Sequence, residues 1–229
     1  MSYLPYPSIG GVAGMYEYAN AVVMGIDQAN TYHPFWTSGV VAGTLDGWTF
    51  TAGQSGTFSA VASASGGQIE ITLGAHTLVA GQPFTITSAT DAGYRPPNPT
   101  LFIIQSVTAT TVKVIATFTA TATGTWTMGA YLKAGTAAAG KYELTWSATA
   151  ESSLGANKNY KFEPLQNTTN IDKAFGGQLM NSTGPQCCNG SAFVVVAAGD
   201  VFLMLCNNQT DTTDITITGC NFRLKRYAQ

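Results

Sequence analysis

The chain has 229 residues, 45% of them hydrophobic, which supplies enough apolar side chains to close a core without covalent staples. Charged residues make up 10% and the net charge is −2, so no long-range field draws a polyanion and nucleic acid is excluded as a partner. Abundant Val, Ile, Thr and aromatic residues exclude disorder. A surface this poor in charge is weakly protected against self-association, which points to a high-copy assembly or to a surface covered by partner subunits.

The N-terminal residues 1–27 lack a period of 2 or 3.6 at their start and read as an extended arm. Its Tyr3, Leu4, Tyr6, Ile9, Met15 and Tyr16 suit a docked, aromatic-anchored contact with a neighbouring subunit, or packing on the chain's own domain. Met1-Ser2-Tyr3-Leu4-Pro5-Tyr6-Pro7 has neither the basic start nor the apolar run of a secretory leader, and no apolar run reaches a membrane span; synthesis in a cytoplasm and no membrane partner are the expectations. Tyr16 to Met24 fits a short helix or a strand. Asn30 to Trp36 reads as an aromatic strand interrupted by Pro34, and Asp46-Gly47 as a turn before the strand Trp48-Thr49-Phe50.

From Ser65 to Trp126 the pattern is that of a small β-domain. Ile69, Ile71 and Leu73 alternate, Ala80-Gly81-Gln82-Pro83 turns, Phe84 and Ile86 follow, and Thr111 to Val114 and Thr117 to Trp126 close it. Asp91 to Pro99 is too proline-rich for a central strand, so Tyr94, Arg95, Pro96 and Pro97 are expected on an exposed loop available to a partner. Beyond Gly135 to Gly140, a linker of small residues, one strand alternates most clearly: Tyr142, Leu144, Trp146, Ala148 and Ala150 on one face, Lys141, Glu143, Thr145, Ser147 and Thr149 on the other. Asn159 to Leu165 continues in the same style. Phe193 to Ala197 and Val201 to Cys206 are apolar runs expected to be buried on both faces. Ile215 and Ile217 are out of phase with Cys220, Phe222 and Leu224, and Gly219 marks the slip as a β-bulge.

Short strands, regular turn signals and no long helix predict an all-β, antiparallel sandwich. The Gly66-Gly67-Gln68 start, His76-x-Leu78-x-x-Gly81-x-x-Phe84-x-Ile86 turn and Thr123-Gly124-Thr125-Trp126 end resemble a small module found in structural proteins of tailed bacteriophages. Gly140-Lys141-Tyr142-x-Leu144-x-Trp146-x-Ala148, Ala198-Gly199-Asp200-Val201-Phe202-Leu203 and Phe222-x-Leu224 resemble the jelly-roll heads of the tumour-necrosis-factor and C1q class. These resemblances imply an arm at 1–27, a jelly-roll sandwich at 28–58 and 129–229, and an inserted β-domain at 59–128. They further imply a homotrimer with Tyr32, Tyr160, Phe222 and Tyr227 near the three-fold axis, the equal alternative being that these four are ordinary core of their own chain.

Signals for chemistry are sparse. His33 and His76 have no companion at metal-site spacing, Gly53-Gln54-Ser55-Gly56 is a turn and not a nucleophile elbow, and no glycine loop leads into a helix. Asp211-Thr212-Thr213-Asp214, with Asp200, reads as a plain polar turn in preference to a calcium loop. The four cysteines, Cys187, Cys188, Cys206 and Cys220, read as free thiols. Neither cofactor nor metal nor enzymatic activity is expected. The expected function is that of a virion structural protein, a trimeric decoration or cement protein on the capsid exterior contacting the major capsid protein. The alternative is a receptor-binding head of a short fibre that takes host glycan through Trp36, Trp48 or Tyr94.

Overall fold

The computed structural model describes residues 45–94, 102–152, 157–180 and 184–226, with the backbone alone at 177–180 and in four strands between residues 12 and 42. It is all-β. In chain order β1 (Val12–Tyr18), β2 (Val22–Met24), β3 (Tyr32–Pro34), β4 (Val40–Ala42) and β5 (Trp48–Thr51) come first. Then come β6 (Gln54–Phe58), β7 (Ala60–Ala64), β8 (Gln68–Thr72), β9 (Pro83–Ala89), β10 (Phe102–Val107), β11 (Thr111–Ile115) and β12 (Gly124–Met128). The remainder are β13 (Tyr131–Ala134), β14 (Gly140–Ser152), β15 (Lys158–Gln166), β16 (Thr169–Asn170), β17 (Gly176–Met180), β18 (Gln186–Val196), β19 (Val201–Asn208) and β20 (Ile215–Arg226).

Three antiparallel sheets result. The first runs β18-β14-β20-β1-β4, with β2 also on β20; the second runs β16-β15-β19-β13-β5, with β17 on β15 and β3 on β19. The third, β6-β12-β9-β10-β11-β8-β7, pairs only with itself. Its end strands β6 and β7 are separated by Ser59 alone, so they are two halves of one bent strand and the row closes into a small barrel. The barrel starts at Gln54, which pairs with Met128, earlier than the boundary expected at 59. Gln54 and Ser55 therefore lie in a strand, not in the expected turn, and Gly56 is needed there because a Cβ would meet the Trp126 indole at 3.0 Å.

The first core lies between the first two sheets. Tyr142, Leu144, Trp146, Ala148 and Ala150 of β14 fill it as the alternation predicts, with Leu224 opposite Leu144 and Phe222 opposite Trp146. Trp48 meets Tyr142 and Phe202 edge-on at 5.6 and 5.7 Å. The register slips where Thr149 faces Gly219 but Ala150 faces Ile217, leaving Thr218 as the extra residue of the bulge that Gly219 announced.

The second core lies between the second sheet and the barrel. Alternation along β19 sends Phe202, Met204 and Cys206 into the sandwich, while Val201, Leu203 and Leu205, joined by Leu165, pack on barrel residues such as Phe84, Ile86 and Met128. Every residue of β19 is buried for that reason, as its continuous apolar run predicts. The other such run behaves differently: Val194 and Val196 point inward, but Phe193 and Val195 are each 70% exposed. β18 ends its sheet, and its outer face is open to solvent at these two residues.

Three placements correct the sequence reading. Met15 and Tyr16 belong to β1, opposite Arg223 and Phe222, so the sheet begins inside the expected arm. Tyr160 and Phe222, expected at a three-fold interface, are fully buried in the sandwich of their own chain, because both sit on inward-facing positions of paired strands. Tyr94, expected on an exposed loop, is 2% exposed. Its hydroxyl donates to the Ala120 carbonyl at 2.5 Å and accepts from the Thr119 and Ala120 amides at 3.0 Å each, which pins the long segment before β12. Tyr3, Leu4, Tyr6, Ile9, Arg95, Pro96, Pro97 and Tyr227 lie outside the described residues, as do the side chains of Tyr32 and His33.

Candidate functional site: an apolar ridge on an edge strand

On β18, alternation turns Cys188, Val194 and Val196 inward and leaves Cys187, Asn189, Ser191, Phe193 and Val195 outside. Phe193 stands opposite Glu143 and Val195 opposite Lys141 on β14, so two large apolar groups sit at the rim of an otherwise polar face. Phe175, 53% exposed, is another of the exposed apolar side chains, and the Lys161 ammonium lies 5.0 Å from its ring centre. A hollow of about 640 Å³ runs beside the ridge, lined by Gln166, Asn170, Asp172, Lys173, Phe193 and Val195. A smaller one of about 290 Å³ lies on the other side, against Lys141 and Tyr142.

The backbone edge of β18 is partly closed while its side chains are open. Gln166 donates from Nε2 to the Val195 carbonyl at 2.8 Å, and the Ala174 carbonyl lies so close to Gly190 that a Cβ there would sit 2.2 Å from it. Strand addition is therefore obstructed at two points, which is how natural edges avoid open-ended pairing. What remains for a partner is the side-chain ridge.

A carboxylate network holds this corner rigid. Asp200 accepts from Gln166 Nε2, Asn167 Nδ2 and the Ala197 amide, each at 2.8 Å, and Asn167 holds the backbone amide of Val201. Partial burial pushes the Asp200 carboxyl up, but the hydrogen bonds from Asn167, Ala197 and Gln166 outweigh it and hold the group below its ordinary range. A carboxylate whose pKa is lowered on folding contributes stability above its unfolded pKa, and that contribution is lost as pH falls through the folded value. The melting temperature is expected to hold from neutral pH to about pH 4 and to drop below it. Asp200→Asn should melt lower at neutral pH and lose less on acidification; parallel calorimetric curves for the two proteins would remove Asp200 from that account.

Asp200, Asp211 and His76 each hydrogen-bond within their own chain. Asp200 precedes β19 and Asp211 follows it, so the strand separates the two carboxylates. Asp211 pairs with Lys158 and accepts from Asn208 Nδ2 at 3.0 Å and the Thr213 amide at 2.9 Å; the Lys158 ammonium is the main cause of its lowered pKa. Tyr160 donates to the carbonyls of that loop, and burial pushes its phenol up to about 12. His76 accepts the Leu78 amide at Nδ1, so Nε2 carries the proton and points at the Thr111 carbonyl. Among the described residues no group of three His, Cys, Asp or Glu side chains is placed to hold a metal ion, and no helix is long and apolar enough to cross a membrane.

All four cysteines are free, with Cys187 exposed and Cys188 and Cys206 buried. Burial pushes the Cys188 thiol up to about 12 and raises Cys206 and Cys220 well above the ordinary value. Cys187 alone is expected to react with a chromogenic disulfide reagent in the native state, and the other three only after unfolding; a second fast thiol would contradict the packing described.

Sequence reasoning missed the ridge because it treated Phe193 to Ala197 as two-sided core; an edge position is not encoded locally. The glycan-binding aromatics fare no better. Trp48 is buried in the sandwich, Tyr94 is buried in the barrel, and Trp36 lies outside the described residues. Comparison of the chain with protein-family models and with curated proteins finds no match in either.

Proposed function

We propose that this chain is a structural protein of a phage virion, a homotrimer that decorates the capsid exterior and binds it through protein contacts. The observation that carries the assembly part is the pair Phe193 and Val195, 70% exposed on the same face of an edge strand, in a protein with little surface charge to hold copies apart. The trimer contact moves accordingly from Tyr160 and Phe222 to this ridge. The resemblance of residues 65–126 to a module of phage structural proteins supplies the virion part.

The strand order supports a jelly-roll of the tumour-necrosis-factor and C1q type for the sandwich. From β13 to β20 the chain passes repeatedly between the two sheets, and the first and last long strands, β1 and β20, are neighbours. The barrel between β5 and β13 is then the inserted domain, and because it shares a core with β19 it is a fixed third layer, not a swinging appendage. Sedimentation velocity of the purified protein tests the assembly part: a trimer is expected, and a monomer at high concentration defeats it. Co-sedimentation with purified phage heads tests the decoration part, with loss of binding expected on removing residues 1–11.

A further inference from the structure

Lys161, Glu163 and Asn207 share the face of the second sheet that is turned away from the sandwich core. In the β15–β19 ladder Lys161 stands directly opposite Asn207, and Glu163 is one step along on the same face, opposite Leu205. Directly opposed residues hold their Cβ atoms about 4.5–5.5 Å apart, a gap that a lysine side chain can turn across. Lys161 Nζ is 2.9 Å from Glu163 Oε2. Glu163 is 0% exposed and Asn207 5% exposed, and Asn207 Oδ1 is buried without a hydrogen-bond partner.

As a purely structural device this arrangement is poor. A carboxylate that is fully buried against a partly exposed ammonium recovers little of its desolvation cost, and an unsatisfied buried amide oxygen costs about 1–3 kcal/mol. As a reactive device it has the needed parts: an amine, a carboxamide on the directly opposed residue, and a fully buried carboxylate 2.9 Å from the amine.

We infer that Lys161 and Asn207 join in an intramolecular isopeptide bond, with Glu163 as proton carrier. Glu163 takes a proton from the Lys161 ammonium and leaves a neutral amine. The Nζ lone pair attacks Asn207 Cγ and forms the new C–N bond. The Cγ–Nδ2 bond then breaks, Glu163 and the attacking nitrogen supply the protons the leaving group needs, and ammonia departs. No oxidant, metal or cofactor enters, and the atoms balance: lysine plus carboxamide gives a secondary amide plus ammonia. Held side by side, the two groups react as one molecule, and so the step runs without an external enzyme. The product ties β15 to β19 covalently and closes the chain between residues 161 and 207, a constraint on the unfolded state that acts as a disulfide does but survives reductants.

Intact-mass spectrometry of the full chain, purified folded and then denatured, tests this. The expected mass is short by one ammonia, and peptide mapping should find a branched peptide joining Lys161 to Asn207. Lys161→Arg should restore the full mass, and Glu163→Gln should leave the protein unjoined or join it at least tenfold more slowly. A full-mass wild-type protein after prolonged incubation overturns the inference. So does a deficit that maps to Asn189-Gly190, where cyclisation also expels ammonia, or one that persists in Lys161→Arg. Equal rates of joining in wild type and Glu163→Gln overturn the role of Glu163.

Discussion

Gly190→Ala is expected to lower the melting temperature by about 5–15 °C, on the basis of about 2–4 kcal/mol lost and the usual conversion for a chain of this size. A Cβ at this position would lie 2.2 Å from the Ala174 carbonyl and 2.6 Å from Trp146 Nε1. Neither neighbour can give way cheaply. Trp146 Nε1 donates to that same Ala174 carbonyl at 2.7 Å, and at the indole's six-membered ring Gly176 is packed so closely that its own Cβ would lie 2.7 Å away. Two glycines thus clasp one buried tryptophan and hold the short turn Asp172–Ala174 over the edge of β18. The neighbouring exposed Ser191→Ala is the control and should shift the midpoint little, within about 0.5 kcal/mol. Thermal unfolding by circular dichroism reads both, and a Gly190→Ala midpoint equal to that of the control would mean the clasp is loose.

The double variant Phe193→Asp with Val195→Asp is expected to weaken self-association by two or more orders of magnitude while leaving the fold intact. Burying two such side chains between copies contributes about 3–6 kcal/mol, and each 1.4 kcal/mol is about tenfold in affinity. The fold should survive because both side chains already face solvent within their own chain, opposite Glu143 and Lys141. Concentration-dependent sedimentation and melting separate the two effects. A trimer's melting temperature rises with protein concentration, whereas that of the double variant should not. A double variant that sediments as the wild type does would move the interface elsewhere and leave the ridge unexplained.

How much was legible in advance depended on whether the burial pattern was local. β14 was readable to the residue, because period-2 alternation between Tyr142 and Ala150 needs only one core and one solvent face. The bulge at Gly219 was readable as well, since a phase change between Ile217 and Phe222 must be absorbed somewhere and glycine absorbs it most easily. β19 and β18 show the limit. Their apolar runs look alike in sequence, yet β19 has the sandwich on one side and the barrel on the other, while β18 buries Val194 and Val196 and leaves Phe193 and Val195 70% exposed. Tyr94 failed for a related reason: proline-rich surroundings argued for an exposed loop, and the hydroxyl acceptor and donors it reaches, at residues 119 and 120, are distant in the chain.

By itself, the sequence determined the β class, the strands with alternating faces, the turn at Asp46-Gly47 and the scarcity of charge. It did so because strand formation and turn chemistry depend on neighbours within a few residues. Only the tertiary structure decided which apolar strand lies at an edge, that Tyr160 and Phe222 are core, that the barrel shares its core with β19, and that Lys161 stands opposite Asn207. Each of those depends on pairings between residues tens of positions apart, and a strand's own side chains do not specify what will lie across from it.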